Sequence, residues 1–151
     1  MNIEEFGERV RSLDINNIVD ESINETKDFL LHLIRSQLLS GERKDGTPIG
    51  KYSTSELGKY YVELKFDKGL FRGNSFPNYD LYFSGDYHKS LIVNITSSDI
   101  EIMSTDSKAE LIETNTGNLN NALELNEKYL SLYREKLLPI ILKKLHDSLG
   151  I

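Results

Sequence analysis

The stretch that decides the fold covers residues 15–39 and reads INNIVDESINETKDFLLHLIRSQLL. Its apolar residues recur at spacings of three and four, which predicts an amphipathic helix. That apolar face comprises Ile15, Ile18, Val19, Ile23, Thr26, Leu30, Leu33, Ile34 and Leu38. Asp14 is suited to cap the start of this helix, and Gly41 is suited to end it. About 25 residues at 1.5 Å each form a rod of roughly 37 Å.

A second long helix is predicted over residues 127–149, where leucines, isoleucines and a tyrosine again recur at spacings of three and four. Asn126 is suited to cap it. Pro139 lies inside and has no N–H to donate, so we expect a kink there or two abutting helices. The first dozen residues and residues 107–114 predict shorter helices. Residues 118–125, after Asn115-Thr116-Gly117, form a connector.

Residues 91–104 predict a β-hairpin, because apolar and polar residues alternate on both sides of the turn Ser97-Ser98-Asp99. Two strands alone are marginal in water, so they must pack against the long helix, another strand or a neighbouring subunit. The chain is therefore expected to be one α+β domain over residues 1–151. In it, two long helices pack on a small antiparallel sheet.

Two long stretches, residues 41–55 and 67–80, are rich in turn-forming residues and predict exposed, irregular loops. Loops of this length in a compact domain are usually functional or disordered, and we expect these two to become ordered on docking. Residues 56–66 between them are ambiguous between a strand and a helix. The stretch Tyr79–Phe83 favours core packing over base stacking or an interface.

The composition argues against several classes of function. The chain has 18 basic and 24 acidic residues, a net charge of −6, which argues against a dedicated nucleic-acid binder. It has no cysteine, so thiolate chemistry and disulfides are excluded. The start Met1–Glu5 lacks the pattern of a signal peptide, and no apolar run reaches the ~18 residues of a membrane span. We therefore expect the chain to work in the cytoplasm, or in something assembled there, and to have no membrane partner.

Possible catalytic and ligand-binding motifs fail on spacing. Gly46–Lys51 has three residues between its glycines and Tyr52 after the lysine, whereas the nucleotide-binding loop needs four residues and a Ser or Thr. Asp86 and His88 could form an acid–base pair, but a surface histidine after a tight turn is the more common case. The acidic clusters, Glu4-Glu5, Asp20-Glu21 and Asp99/Glu101, are expected on solvated faces. No catalytic residue, metal ligand or cofactor site is predicted.

Two segments in a fixed order resemble those of the virion-morphogenesis and tail-completion proteins of tailed bacteriophages. Asp45-Gly46-Thr47-Pro48-Ile49-Gly50-Lys51-Tyr52-Ser53 is similar to the family's D-G-x-P-W-x-x-L/Y-S segment, with Ile49 at the aromatic position. Ser84-Gly85-Asp86-Tyr87-His88-Lys89-Ser90 matches the second motif, L-x-x-T/S-G-x-L/F-x-x-S, with Tyr87 at the apolar position. The family's Y-A-x-x-H/E-x-G is replaced by residues 108–113.

The second motif has a physical logic of its own. Gly85 can adopt a positive φ and turn the chain sharply. Ser84 or Asp86 can cap a short helical turn. Ser90 can hydrogen-bond back to local backbone before the first strand begins. This geometry is that of a scaffold and carries no catalytic group.

The resemblance implies a non-enzymatic virion protein that completes the head–tail connector or ends the tail tube. Its partners would be the portal, connector or tail-tube proteins and copies of itself in a ring, with no specific nucleic acid. The net charge suggests an acidic lumen along which DNA slides, a hypothesis that a basic inner surface would contradict. The alternatives are a regulatory or toxin–antitoxin-type binding module and a small hydrolase using His88 and Asp86.

Interface residues are expected mainly in the two loops and beside the second motif. The candidates are Lys51, Tyr52, Phe71, Arg72, Phe76, Tyr79, Tyr87 and Lys108. In isolation the protein is expected to be monomeric or weakly associated, and to form its ring at a partner's surface. A stable dimer with a large apolar interface would contradict this expectation.

Overall fold

The computed structural model describes residues 2–73, 75–96, 99–116 and 123–151. Within these ranges the helices are α1 (Ile3–Ser12), α2 (Ile15–Leu39), α3 (Glu56–Asp67), α4 (Asp86–Lys89), α5 (Ala109–Thr116) and α6 (Glu127–Leu149). The strands are β1 (Leu91–Thr96) and β2 (Asp99–Ser104). The fold is α+β, as predicted, with α2 and α6 packed against the hairpin.

Both long helices begin at the residues that the sequence indicates. The Asp14 carboxylate accepts from the Asn17 N–H at 3.0 Å at the start of α2, and Asn126 accepts from Tyr129 at 3.2 Å at the start of α6. Gly41, with φ +71°, follows the last residues of α2, which confirms it as the stop. Helix α6 is one element with Pro139 inside it, so the alternative of two abutting helices is wrong. The kink stays a prediction.

Helix α2 is the centre of the packing. One buried cluster joins it to the start of β1 and to the second motif, and contains Ile34, Leu38, Ile49, Tyr87, Leu91, Ala109 and Leu123. A second cluster joins it to α6 and contains Leu30, Leu33, Tyr129 and Tyr133. Ile102 and Leu125 pack against both clusters. Burial of these side chains stabilises the fold by roughly 1.5–3 kcal/mol each.

A buried glutamine aligns α6 with α2. The Gln37 side-chain oxygen Oε1 accepts from the Asn126 backbone N–H at 2.7 Å. The Gln37 side-chain nitrogen Nε2 donates to the Glu124 backbone carbonyl at 2.8 Å. The Thr26 and Tyr133 hydroxyls lie 3.0 Å apart farther along the pair. The two helices are antiparallel, since Lys144 of α6 reaches Glu21 and Glu25 near the start of α2.

The hairpin is confirmed, with Leu91 opposite Ser104 and Thr96 opposite Asp99. Ser97 and Ser98, assigned to its turn, lie outside the described residues, and Asp99 begins β2. The short helix at the start is also present. The helix predicted over residues 107–114 lies at Ala109–Thr116, so Asn115 and Thr116, which were expected to end it, belong to it. Gly117 and most of the predicted connector lie outside the described residues.

Residues 56–66 are helical. Ser55 caps the helix by accepting from the Gly58 N–H at 3.2 Å, and Glu56–Asp67 form α3. The alternating apolar residues would suit a strand, but in the helix Tyr60, Tyr61 and Phe66 lie on different sides of it. The loop 41–55 is less exposed than predicted, because Ile49 is buried in the main cluster, and its N–H donates to the Gly41 carbonyl at 2.8 Å.

The second motif folds into a sharp turn. Gly85 has φ +87° and occupies the N-cap position of α4. Of the two predicted capping residues, Ser84 accepts from the Asp86 N–H at 3.3 Å, the first N–H of the helix, whereas Asp86 belongs to the helix. The Ser84 hydroxyl also bonds to the Asp86 carboxylate at 2.6 Å. The Ser90 hydroxyl donates to the Tyr87 carbonyl at 2.7 Å, as predicted, and β1 begins at the next residue.

No helix in the described part of the chain is both long enough and apolar enough to cross a membrane. The acidic residues of the predicted solvated clusters are exposed, apart from the half-exposed Asp20. Asp20 and Asp99 line a shallow, open pocket of about 350 Å³ between α2 and the hairpin.

Candidate protein-interaction site

Aromatic residues concentrate in one part of the sequence. Nine of the fourteen tyrosines and phenylalanines lie between residues 52 and 83. We call them together the aromatic surface: Tyr52, Tyr60, Tyr61, Phe66, Phe71, Phe76, Tyr79, Tyr82 and Phe83. They lie on α3 and on the chain segments that flank it. Tyrosine and phenylalanine are enriched in the centres of protein interfaces.

The two loops predicted from the sequence meet at this surface. Lys51 pairs with Asn78 in an isolated antiparallel bridge. The Tyr79 N–H donates to the Gly50 carbonyl at 2.8 Å, and the Tyr52 N–H donates to the Pro77 carbonyl at 3.2 Å. A Cβ at Gly50 would lie 2.7 Å from the Tyr79 ring, so this crossing requires glycine. The paired segments form a platform on which α3 packs.

A buried ion pair attaches α3 to this platform. The Lys65 ammonium lies 2.5 Å from Asp80 Oδ1, and both side chains have 0% of their surface exposed. The Tyr52 hydroxyl accepts from Lys65 at 2.8 Å and donates to Asp80 Oδ1 at 3.1 Å. The ammonium also lies 4.5 Å from the centre of the Phe71 ring. Removing one partner would leave an uncompensated buried charge, which is strongly destabilising.

The charges of this cluster depend on one another. Burial lowers the pKa of Lys65, and hydrogen bonding to Asp80 acts in the opposite direction. Burial raises the pKa of Tyr52, and the negative charge of Asp80 raises it further. Tyr52 therefore remains a neutral phenol that can donate to the carboxylate. Asp80 also accepts from the Tyr82 N–H at 3.0 Å, while its Oδ2 is buried without a partner among the described residues.

His88 contacts the same cluster through the backbone of Asp80. Only 5% of its surface is exposed, so the expectation of a surface histidine is wrong. Its Nε2 donates to the Asp80 carbonyl oxygen at 2.8 Å, and its own carbonyl accepts from Arg35 at 2.7 Å. Its ring also stacks edge-on against Tyr82. Because Asp86 bonds to Ser84 instead, the hypothetical Asp86–His88 acid–base pair is not formed.

The buried His88 makes stability depend on pH. Burial lowers its pKa below the usual 6.5, so the unfolded chain binds a proton at higher pH than the folded chain. The stability associated with neutral His88 is complete above about pH 6.5 and is lost as the pH falls below that value. Urea unfolding at pH 7.5 and 5.5 should show a smaller pH effect for His88→Gln than for the parent chain. Equal pH effects would contradict the assignment.

An open groove of about 550 Å³ lies beside the ion pair, and Tyr52 and Asp80 are among its lining residues. Its main lining residues, which we call the tyrosine groove, are Tyr52, Leu57, Tyr60, Tyr61, Leu64, Tyr79, Leu81 and Tyr82. A concave, mostly apolar site of this size with a few polar groups is typical of binding sites. Within the described ranges, no three His, Asp or Glu side chains are grouped as metal ligands would be. The groove is mostly apolar, with Ser53, Ser55 and Asp80 among its polar lining residues.

Several large apolar residues beside the groove face solvent. Leu57 is 78% exposed, Tyr60 63%, Phe66 55% and Phe76 50%. Phe66 and Phe76 form a three-ring cluster with Phe71, with centre-to-centre distances of 4.5–5.6 Å. Large exposed apolar patches with polar rims mark interaction surfaces.

The rim of the aromatic surface carries positive charge. Lys68 lies 5.8 Å from the centre of the Phe83 ring, and Arg72 lies 5.7 Å from the centre of Tyr82. Residues 51–89 contain six basic and five acidic residues, a net charge of +1, so the rest of the chain carries −7. The segment that carries the aromatic surface is therefore slightly basic, although the chain as a whole is acidic.

The structure brings most of the predicted interface residues together. Lys51, Tyr52, Phe71, Arg72, Phe76 and Tyr79 all belong to the paired loops around α3. Tyr87 does not, because its ring is only 4% exposed and lies in the main core cluster. Lys108 is exposed just before α5, outside the aromatic surface. In the stretch 79–83, Tyr79 and Leu81 pack against the core as predicted, whereas Phe83 is 40% exposed.

The sequence interpretation missed the Lys65–Asp80 pair and the contribution of α3. The sequence offers a signal for one of the two partners. Asp80 is a single charge within the stretch 79–83, where a charge has few ways to be solvated if its neighbours are buried. Lys65 shares its stretch with Glu63 and Asp67, so no local pattern distinguishes it. Leu57 and Tyr60 were missed because residues 56–66 had no assigned structure.

Comparison with known proteins returned no match: no protein-family model, no curated protein and no solved structure resembles this chain closely enough to be paired with it.

Proposed function

We propose that this chain is a structural assembly protein of a tailed-bacteriophage virion, completing the head–tail connector or the tail end. It acts through protein–protein contacts that close into a ring. The observation that carries the proposal is the aromatic surface, where exposed rings surround a groove on a rigid base. Such a surface is suited to bind another protein, since aromatic anchors supply most of the binding energy at interfaces.

The amount of exposed surface favours assembly. The chain has 9669 Å² of accessible surface, whereas a compact monomer of 17.3 kDa has about 7,800 Å². A surface this large leaves room for the two faces of about 800 Å² each that a ring subunit buries.

The hairpin offers a second contact region. In the part of the chain that the structure describes, the sheet consists of β1 and β2, so each strand has one edge not paired with another strand. Ile92 and Ile100 are exposed on it. An open edge with exposed apolar side chains is suited to accept a neighbour's strand.

The motif that resembles the phage family has a structural role in this chain. Gly85 turns the chain and Ser90 bonds back to Tyr87, so that β1 begins in a fixed direction. The two segments of the resemblance pack together, because Ile49 of the first and Tyr87 of the second belong to the same buried cluster. This arrangement supports a scaffold that positions an interaction surface.

Deleting the gene in the genome that encodes the chain tests the proposal. We expect DNA-filled heads and separate tails, or tails of abnormal length, in negative-stain images, with normal particles restored by the parent gene. In complemented virions, gold-labelled antibody should mark the neck or the tail end. Normal infectious particles that lack the protein would contradict the proposal. Loss of control over a neighbouring toxin gene would favour the regulatory alternative.

A further inference from the structure

Helix α3 is attached to the fold in a different way from α2 and α6. Among the described residues, no side chain of α3 belongs to either buried apolar cluster or packs against one. Its one buried residue is Lys65, whereas α2 buries nine residues. Gly58, Val62 and Leu64 are half-buried, and the other residues of α3 are exposed. The helix therefore lacks the buried apolar face that usually holds a helix in place.

The contacts that hold α3 on the platform are one polar cluster and a few aromatic rings. Lys65 donates to Tyr52 and Asp80, and Tyr61 and Phe66 contact rings of the flanking segments. Tyr61 is 37% exposed and Phe66 55%, so these contacts remove only part of each ring from water. In the ion pair, the attraction between the charges is largely offset by the loss of their hydration. The net free energy that holds α3 is therefore small compared with that which holds α2.

The segments on either side of α3 are open to solvent. Ser53, Thr54 and Ser55 precede it and are exposed. Gly69 follows it with φ +61°, and a Cβ there would meet no atom within 4 Å. These residues can change backbone conformation without displacing packed side chains. A helix of 12 residues is too short to persist alone in water, so α3 unfolds when it leaves the platform.

We propose that α3 is a separate cooperative unit, which opens from the platform by local unfolding while α2, α6 and the hairpin stay folded. Segments with few buried apolar contacts open at a lower free energy than the core of the same protein. Opening returns the Lys65 ammonium to water and exposes the Asp80 carboxylate, so neither charge is left buried without its partner.

The opening reaction regulates the aromatic surface. Tyr60, Tyr61 and Phe66 lie on α3, so the complete surface exists only while α3 is closed. A protein that docks on these rings binds the closed form, and its apparent affinity is reduced in proportion to the fraction of chains that are closed. This consequence rests on the proposed function, whereas the opening itself does not.

Native-state hydrogen exchange of the full-length chain tests the inference. Amide exchange is followed by NMR at a series of urea concentrations below the unfolding transition. The amides of residues 60–65 should share one protection factor, at least tenfold lower than that of the slowest α2 amides, and it should depend more weakly on urea. A weak dependence on urea means that opening exposes little surface. Protection that instead falls gradually toward the ends of α3, without any dependence on urea, would show fraying and overturn the inference.

Two matched variants distinguish this opening from global unfolding. Glu63→Gly in α3 and Glu135→Gly in α6 each replace an exposed glutamate inside a helix. Glu135→Gly should speed exchange of the slowest α2 amides about threefold and leave the α3 amides unchanged, because α6 stays folded when α3 opens. Glu63→Gly should speed exchange in α2 and α3 alike, because α3 unfolds in both reactions. Equal acceleration of α2 and α3 by Glu135→Gly would show a single cooperative unit and overturn the inference.

This test can fail independently of the proposed function. Separate opening of α3 in a chain that never enters particles would support this inference and overturn the virion assignment. A chain located in the neck or tail whose α3 exchanges only together with α2 would do the reverse.

Discussion

Replacing Lys65 by Met is expected to destabilise the folded chain by about 3–5 kcal/mol, because Asp80 would remain buried without its counter-ion. The side chains of both residues are fully buried, so solvent cannot compensate. Urea unfolding followed by circular dichroism measures the effect. The control is Lys68→Met, which removes an exposed lysine three residues later and should change stability by no more than about 0.5 kcal/mol.

A second variant distinguishes the cost of leaving the Asp80 charge unpaired from the cost of losing the contacts of the Lys65 side chain. Lys65→Met combined with Asp80→Asn removes both charges but keeps an oxygen that can accept from the Tyr82 N–H. It should recover about 2 kcal/mol relative to Lys65→Met alone, since the uncompensated charge is the larger part of the cost. If Lys65→Met proves as stable as Lys68→Met, the buried pair does not attach α3 as described.

The second large effect concerns assembly. Replacing both Tyr60 and Phe76 by Ala should weaken incorporation into particles by several hundredfold, because each ring lost from an interface centre costs about 2 kcal/mol. Both rings are at least half exposed in the free chain, so its stability should change little. Quantitative mass spectrometry of purified particles is the measurement.

Leu111→Ala provides the matched control for this double variant. Leu111 is 62% exposed on α5, away from the aromatic surface, and its loss should leave incorporation unchanged. Equal incorporation of the two variants would show that the aromatic surface does not contact a neighbour.

The long helices were predictable because local patterns specify them. The apolar stripe of α2, the caps Asp14 and Asn126, and the stop at Gly41 are short-range features that the chain cannot satisfy in another way. The alternation in residues 91–104 similarly requires strands with one face against a core. Such elements follow from the sequence without knowledge of their neighbours.

The candidate site was less predictable, because long-range contacts build it. Lys65 and Asp80 are 15 residues apart, and no spacing rule connects them. Residues 56–66 fit both helix and strand patterns, so the faces of Tyr60 and Tyr61 could not be assigned. His88 follows a turn, where exposure is the usual outcome, and only the packing of Arg35 and Tyr82 around it produces burial.

The central claim is that the aromatic surface is covered when the protein is assembled. Hydroxyl-radical footprinting of the isolated chain and of purified particles, read by mass spectrometry, tests it directly. We predict that Tyr60, Phe66 and Phe76 are oxidised readily in the free chain and are protected in the particle. Leu111 should react equally in both. Equal oxidation of the three rings in the two states, or absence of the chain from particles, would contradict this account.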